Sequence, residues 1–127
     1  MCGIAGIVGP EAKLEVINAM VDSQKHRGPD DQGIWINPGR VALGNNRLSI
    51  IDVAGGVQPM ASPNKDLVVT FNGEIYNYLE LKQELSPYPF QTQSDTEVIL
   101  AAYGRWGERC VDHFIGQFAF ALWDNCV

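Results

Sequence analysis

A continuous apolar run near the start of the chain sets the strongest constraint on its fold. The run Ile4 to Val8 is bounded by Gly3 and Gly9 and contains no polar residue. A short apolar run of this kind predicts a β-strand that is buried on both faces, so other parts of the chain must cover it on each side. Cys2 would then lie at the very start of this strand.

Helices are predicted in three places. Apolar residues recur at intervals of three and four from Ala12 to Lys25, which is the spacing of an amphipathic helix. N-capping patterns begin at Asn77 and at Ser94, each followed three residues later by a glutamate. They predict helices near residues 78–85 and 95–106.

Short strands account for most of the remaining chain. They are predicted at Ile34–Ile36 and Val41–Leu43, which form a hairpin, and at Leu48–Ile51, Leu67–Phe71 and Phe118–Trp123. Residues 54–65 hold two glycines and two prolines and are predicted to be a loop. Strands and helices do not alternate one for one, so the order favours an α+β fold with antiparallel sheets covered by helices.

Length and composition exclude several classes of function. A chain of 127 residues, 46% hydrophobic and 19% charged, is expected to form one soluble domain. We find no apolar stretch near the ~20 residues of a membrane span and no secretory signal, which argues against a membrane role. A net charge of −6 without a basic cluster argues against nucleic acid as a partner. Three cysteines without CxxC spacing and two histidines argue against a metal site and for the cytoplasm.

Cys2 is the first candidate for chemistry. Removal of Met1 would leave a thiol and a free α-amine on the same residue, so a nucleophile would carry its own base. Such an amine has a pKa of roughly 7.7–8.0, so about a third of it is neutral at about pH 7.5 and can accept the thiol proton. Taken alone, a cysteine in an apolar run more often packs as a small hydrophobe.

Five further residues could complete a site for acyl transfer from a carboxamide. Asn72 and Gly73, directly after a predicted strand, offer a side-chain and a backbone donor for an oxyanion, although Asn-Gly is also a strong hairpin-turn signal. Arg47 could clamp a carboxylate, but a lone arginine beside a strand is more often a surface residue. Asp95 could bind an ammonium group or simply favour the start of its helix. Glu74 allows the same two interpretations, with a surface carboxylate favoured.

Six short motifs, taken together and in order, carry a resemblance to a known family. They are Cys2-Gly3-Ile4-Ala5-Gly6, His26-Arg27-Gly28-Pro29-Asp30, Arg47-Leu48-Ser49-Ile50-Ile51-Asp52, Asn72-Gly73-Glu74-Ile75-Tyr76-Asn77, Ser94-Asp95-Thr96-Glu97 and Gly116-Gln117-Phe118-Ala119-Phe120-Ala121. This ordered set resembles the glutaminase domain of glutamine-hydrolysing asparagine synthetase, a class II glutamine amidotransferase and N-terminal-nucleophile hydrolase. The similarity extends from Cys2 to about Asp124.

The resemblance implies a specific architecture. The family has a four-layer αββα sandwich of antiparallel sheets, here formed by a single glutaminase domain over residues 1–127. The family domain continues with further strands beyond the position of Val127, so the domain is expected to be incomplete at its C-terminal end. An exposed sheet edge would then favour association with another chain, including a homo-oligomer.

The resemblance also implies a reaction. Cys2 would be the nucleophile with its own α-amine as base, and Asn72 with Gly73 would form the oxyanion hole. Attack on the side-chain amide of L-glutamine would release ammonia, and water would hydrolyse the γ-glutamyl thioester to glutamate. Arg47 would hold the substrate α-carboxylate. The remaining pair would contact the polar end of the substrate, Asp95 its α-ammonium and Glu74 beside it.

The acceptor of the ammonia is expected elsewhere. In the family, a separate synthetase domain transfers ammonia to ATP-activated aspartate, and this sequence lacks a GxxxxGK[ST] loop and a Ser-Gly-Gly motif. ATP and Mg²⁺ are therefore expected only on a synthetase domain or partner chain, and no cofactor or metal is expected in this chain.

Two alternatives remain beside this interpretation. A truncated domain could bind glutamine yet turn it over weakly, and Cys2 could be a redox sensor, although it has no resolving cysteine nearby in sequence. One departure from the family concerns Asn45, which occupies a position where the family often has a histidine.

Overall fold

Residues 2–48 and 55–127 are described by a computed structural model, and they form two antiparallel sheets. The first sheet has the order β1-β3-β2, with β1 at Gly3–Val8, β2 at Asp31–Asn37 and β3 at Val41–Arg47. The second has the order β4-β5-β6, with β4 at Met60–Ala61, β5 at Leu67–Ile75 and β6 at Gly116–Asp124.

Three α-helices and two short 3₁₀ helices complete the described chain. The α-helices are α1 at Leu14–Asp22, α2 at Tyr78–Glu84 and α3 at Thr96–Trp106, and the 3₁₀ helices lie at Lys25–Arg27 and Gly107–His113. All three predicted helices are therefore present, with α1 shorter at both ends than the apolar spacing indicates. Among the described residues, no helix is long and apolar enough to cross a bilayer.

Alternation of side chains along the strands produces four layers. In β3, Ala42 packs with the buried residues of α1, whereas Val41 and Leu43 point to the other side and meet Val68 of β5. The next residue of β5, Val69, packs with the buried residues of α3. The order of layers is helix, sheet, sheet, helix, so the predicted α+β sandwich of antiparallel sheets is confirmed.

The central strand β5 is longer than the sequence predicts, and this changes the place of two candidate residues. It pairs with β6 from Leu67 opposite Asp124 to Ile75 opposite Gly116. Asn72 and Gly73 consequently lie inside the strand rather than after it, and the hairpin-turn alternative is wrong for the same reason.

Gly73 occupies a position in β5 that no other residue fits easily. Its φ is +146°, and a Cβ added there would lie 2.1 Å from the carbonyl oxygen of Gln117 on β6. A side chain would therefore be excluded both by the backbone conformation and by the close approach of the neighbouring strand.

The first strand is present as predicted, but its predicted burial on both faces is wrong. Ala5 and Ile7 pack against the α1 side, whereas Gly6 is exposed and Val8 is 75% exposed on the opposite face. The reason is that β1 is an edge strand of its sheet, and the second half of its other face is left uncovered by the described residues.

Two further expectations between β3 and β5 meet different outcomes. The predicted loop at 54–65 contains β4, which pairs Met60 with Val69 and Ala61 with Val68, so the loop prediction is wrong at these two residues. Of the strand predicted at Leu48–Ile51, Leu48 follows the end of β3, and the other three residues lie outside the described part of the chain.

Both N-capping predictions mark a helix start, and Ser94 accepts the N–H of Thr96, the first residue of α3, at 3.0 Å. The side chains of Asn77 and Glu97 bind other segments instead. Asn77 lies at the N-cap position of α2, yet its amide donates to the carbonyl of His113 and accepts from the N–H of Ile115. Asn77 therefore fixes the segment that leads into β6. Its local pattern found the helix, whereas its actual partners are 36 to 38 residues away.

The start of α3 differs in a similar way. Its N-cap residue is Asp95 rather than Ser94, and the carboxylate of Glu97 does not close a capping box. Glu97 is buried and accepts hydrogen bonds from the N–H groups of Gln91 and Thr92 and from the Thr92 hydroxyl. It therefore holds the loop that precedes α3, and this loop delivers Asp95 to its place.

Candidate active site

All six residues predicted for the site line one cleft between the two sheets. They are Cys2, Arg47, Asn72, Gly73, Glu74 and Asp95. The cleft encloses about 490 Å³, counting its open mouth. Residues up to 93 positions apart in sequence are therefore brought together by the end of β3, the start of α3, the last part of β5 and the residue before β1.

Cys2 lies immediately before β1, and its thiol contacts the backbone at the end of β3. The Sγ atom accepts a hydrogen bond from the Leu48 N–H at 3.4 Å and lies 3.8 Å from the Leu48 carbonyl, to which it can donate. β1 pairs with β3 from Gly3 opposite Asn46, so this pairing carries Cys2 to the residues that follow Arg47. The alternative of a small hydrophobe packed in the core is wrong, because Cys2 is only part-buried and lines the cleft.

The two sheets turn polar faces towards each other at the cleft. Asn45 and Arg47 lie on the face of β3 that looks towards β5, where the Asn45 amide donates to the Thr70 hydroxyl at 3.0 Å. Asn72 and Glu74 follow Thr70 at intervals of two, on the face of β5 that looks back. Because side chains alternate along each strand, the cation of Arg47, the amide of Asn72 and the carboxylate of Glu74 all face the space between the sheets.

Arg47 and Asn72 have environments that suit a site better than a surface. Arg47 is only 5% exposed, so the interpretation of a solvated surface arginine is wrong. The Oδ1 atom of Asn72 is buried and accepts no hydrogen bond from the described residues. A buried amide oxygen without a donor costs roughly 1–3 kcal/mol, which a ligand that supplies an N–H would offset.

Asp95 is buried at the start of α3 and faces β5. Its Oδ2 atom accepts a hydrogen bond from the Ile75 N–H at 3.0 Å, and the side chain makes no hydrogen bond that caps its own helix. The cross-link to Ile75 holds the carboxylate beside Glu74 in the wall of the cleft. The hydrogen bond to the sheet therefore orients Asp95, and stabilisation of its carboxylate by the helix dipole does not by itself account for this position.

The charge on Asp95 is costly where it lies. Burial raises the pKa of the Asp95 carboxyl above its ordinary value of 3.8, the hydrogen bond from Ile75 opposes this, and the charge of Glu74 adds to it. The folded chain thus binds the proton of Asp95 more tightly than the unfolded chain does. Stability is lost as the pH rises from 3.8 through the raised pKa, unless a cation compensates the carboxylate.

Six lining residues were not anticipated as part of the site: Leu48, Gly56, Gln58, Phe71, Ser94 and Thr96. Ser94 and Thr96 flank Asp95 in a quoted motif, so that motif was the available signal for them. Nothing in the sequence indicated that Gln58 belongs to the cleft, because a glutamine in a loop rich in glycine and proline is normally exposed. In the structure it is 6% exposed.

Comparisons with known proteins agree with this geometry. Residues 1–127 match the family model described as "Glutamine amidotransferase domain". Asparagine synthetase [glutamine-hydrolyzing] 3 of Bacillus subtilis is 42% identical over 133 residues, and asparagine synthetase [glutamine-hydrolyzing] 2 of Oryza sativa is 44% identical over 129. Each alignment covers 98% of this chain but 22% of the relative, so the chain spans about a fifth of their length.

A solved structure gives the same result for the fold. The glutamine phosphoribosylpyrophosphate amidotransferase from B. subtilis, complexed with ADP and GMP, superimposes with a TM-score of 0.80 at 25% identity. The match covers 98% of this chain and 35% of that one. The sandwich with its polar cleft, the family model and the relatives agree, and the chain belongs to the glutamine amidotransferase domain family.

Proposed function

We propose that this chain hydrolyses the side-chain amide of L-glutamine to glutamate and ammonia through a γ-glutamyl thioester on Cys2. The observation that carries the proposal is that one cleft collects a thiol, an amide donor beside a backbone donor, a buried guanidinium and two carboxylates. Glutamine presents a carboxamide at one end and a carboxylate with an ammonium group at the other. The cleft therefore offers a complementary group for each of its polar ends.

The chemistry begins at Cys2 once Met1 is removed. The α-amine takes the thiol proton, and Sγ attacks the carboxamide carbon, which forms a tetrahedral intermediate. When the C–N bond breaks, the protonated α-amine of Cys2 gives this proton to the leaving nitrogen, and ammonia departs. Water then attacks the thioester with the amine again as base, which regenerates the thiol and releases glutamate.

Asn72 and Gly73 are the proposed donors to the oxyanion of that intermediate. The N–H groups of Phe71 and Ile75 are both bound from the cleft side, by Gln58 and Asp95. Successive N–H groups of a strand point to opposite edges, so the N–H of Gly73, which lies between them, faces the same side. The amide of Asn72 supplies the second donor, and preorganised donors of this kind act mainly on the transition state.

The charged groups define the substrate's other end. The planar guanidinium of Arg47 suits two parallel hydrogen bonds to the α-carboxylate. Asp95, with Glu74 beside it, suits the α-ammonium, and this cation would compensate the buried carboxylate that otherwise destabilises the fold. We further propose that the ammonia is used by a synthetase domain or partner chain, as the names of the much longer relatives suggest.

The direct test combines turnover with covalent labelling. The chain is incubated with L-glutamine, glutamate and ammonia are quantified, and an intact mass spectrum is recorded before and after a glutamine-like diazo-ketone. We expect equimolar glutamate and ammonia, loss of Met1 and a single adduct that maps to Cys2. Glutamine binding without turnover or adduct would instead favour a catalytically weak binding module.

Asp95→Asn is expected to separate binding from stability. The substitution removes the charge that pairs with the α-ammonium but keeps an oxygen for the Ile75 N–H, so KM for glutamine should rise about 10–100-fold, equivalent to roughly 1.5–3 kcal/mol. At neutral pH the melting temperature should be unchanged or higher, because the cost of ionising a buried carboxyl is gone. This gain should vanish below pH 3.8, where the wild-type carboxyl is protonated in both states.

The matched control for this experiment is Asp112→Asn. Asp112 forms an exposed ion pair with Arg109, so its loss should alter neither KM nor the melting temperature appreciably. An Asp95→Asn variant with wild-type KM would refute the assignment of Asp95 to the substrate ammonium.

A further inference from the structure

Gln58 lines the cleft and makes three side-chain hydrogen bonds, and the proposed reaction gives it no role. Its Oε1 atom accepts from the Phe71 N–H at 2.7 Å and from the Asn45 amide at 3.2 Å, and its Nε2 atom donates to the Thr96 hydroxyl at 3.3 Å. Gln58 and Asn45 are both buried. A buried amide pair with these partners joins β3, β5 and α3 at one point.

The pair controls the peptide in front of Asn72. β4 pairs only with Val68 and Val69, so this pairing does not extend as far as Phe71. Two side-chain amides bind the backbone of Phe71 in place of a strand partner. Gln58 accepts from the Phe71 N–H, and Asn45 donates to the Phe71 carbonyl at 3.3 Å. Both backbone groups of the residue before Asn72 are therefore fixed by the pair.

The other end of Gln58 controls the start of α3. Thr96, whose hydroxyl accepts the hydrogen bond from the Gln58 amide, directly follows Asp95. The Gln58 backbone packs directly against β2, where a Cβ at Gly33 would lie 1.9 Å from the Gln58 carbonyl oxygen. The Gln58 side chain thus connects Phe71, which precedes the proposed oxyanion donors, with Thr96, which follows the proposed ammonium ligand.

We propose that the Asn45–Gln58 amide pair is a positioning element of the site, which sets the spacing between the oxyanion donors on β5 and the ammonium ligand on α3. This inference rests on the proposed hydrolysis of glutamine. Asn45 and Gln58 would influence that reaction indirectly, by positioning Asn72, Gly73 and Asp95. The pair itself does not touch the reacting atoms. It keeps the two ends of the cleft at the separation of a glutamine side chain, and a misplacement of about 1 Å can cost 10²-fold in rate.

Gln58→Met is the first test, because it keeps the length of the side chain and removes its hydrogen bonds. We expect kcat for ammonia release to fall roughly 10–100-fold. Selectivity should fall too, so the ratio of kcat/KM for glutamine to that for asparagine, which is one methylene shorter, should decrease. Thr96→Val cuts only the link to α3 and should raise KM with little change in kcat, and it serves as the second variant if Gln58→Met does not fold.

The matched control is Asn46→Leu. Asn46 is 1% exposed, neighbours Arg47 and donates to the Val21 carbonyl at 2.6 Å, but it lies on the α1 face of β3. Its loss should lower the melting temperature without changing the kcat, KM or selectivity of the folded protein. If Gln58→Met and Asn46→Leu change melting temperature and kinetics alike, the role of the pair is merely structural and the proposal is wrong.

The wild-type chain distinguishes this inference from the function on which it rests. Normal ammonia release by the wild type together with unchanged kinetics and selectivity in Gln58→Met and Thr96→Val would overturn the positioning role alone. A wild-type chain that neither binds glutamine nor releases ammonia would overturn the proposed function, and the positioning role with it.

Discussion

Replacing Cys2 with alanine is expected to lower ammonia release from glutamine by roughly 10³-fold or more, because removal of a covalent nucleophile leaves only the contributions of binding and oxyanion stabilisation. The fold should survive the change. The described contacts of the thiol are a long pair with the backbone of Leu48, so the free energy of unfolding should change by about 1 kcal/mol or less. The measurement is the initial rate of ammonia and glutamate formation, with the melting temperature recorded on the same samples.

Cys2→Ala should also keep its affinity for glutamine, because the proposed ligands Arg47 and Asp95 remain. Calorimetry with this variant therefore measures binding without turnover. Cys126→Ala is the matched control, since Cys126 is an exposed thiol that follows β6 and does not line the cleft, so its loss should leave the rate unchanged. Retention of the wild-type rate in Cys2→Ala would mean that another group attacks the amide, and the proposed mechanism would be wrong.

The fold was predictable where local patterns agree with the tertiary structure. The helices at α1, α2 and α3 appear in their predicted places, and the hairpin of β2 and β3 forms because apolar strands flank a glycine turn. Prediction failed at Val8, where a run of apolar residues suggested two buried faces. Local hydrophobicity cannot tell a central strand from an edge strand, because the difference depends on which strands lie beside it.

The capping patterns illustrate a second limit. Asn77 and Glu97 each stand at the spacing of a cap, and each side chain instead binds the backbone of another segment. A short polar side chain has several partners of similar energy within reach, and the tertiary structure decides among them. The positions of the helices were thus predictable, and so was the contact of Ser94 with the Thr96 N–H, whereas the partners of Asn77 and Glu97 were not.

The candidate site was predicted through motif order rather than through local physics. Considered singly, Arg47 was interpreted as a surface residue and Asp95 as a carboxylate that favours the start of its helix. The structure buries both in one cleft wall. Gln58 was missed altogether, because its partners Phe71 and Thr96 are 13 and 38 residues away. Sites assembled from distant segments become visible only when the strands are placed in register.

Replacing Asn72 with alanine should lower kcat by about 10²–10³-fold, which corresponds to roughly 3–4 kcal/mol of lost oxyanion stabilisation. In the proposed role, Asn72 acts on charge that develops in the transition state, so KM should change little and kcat/KM should fall in parallel with kcat. Stability should not fall, since the substitution also removes a buried oxygen that has no donor among the described residues. Steady-state rates of glutamate formation over a range of glutamine concentrations provide both constants.

Asn72 is the better of the two proposed donors to test. At Gly73 a side chain would collide with Gln117 and strain the backbone, so a loss of activity there would be inseparable from damage to the β5–β6 pairing. Asn72→Asp is the matching second variant, because it keeps the shape of the side chain and replaces a donor with a charge that repels the oxyanion. It should lose at least as much kcat as Asn72→Ala. A fall in KM alone, or an unchanged kcat in both variants, would show that the tetrahedral intermediate is stabilised elsewhere in the cleft.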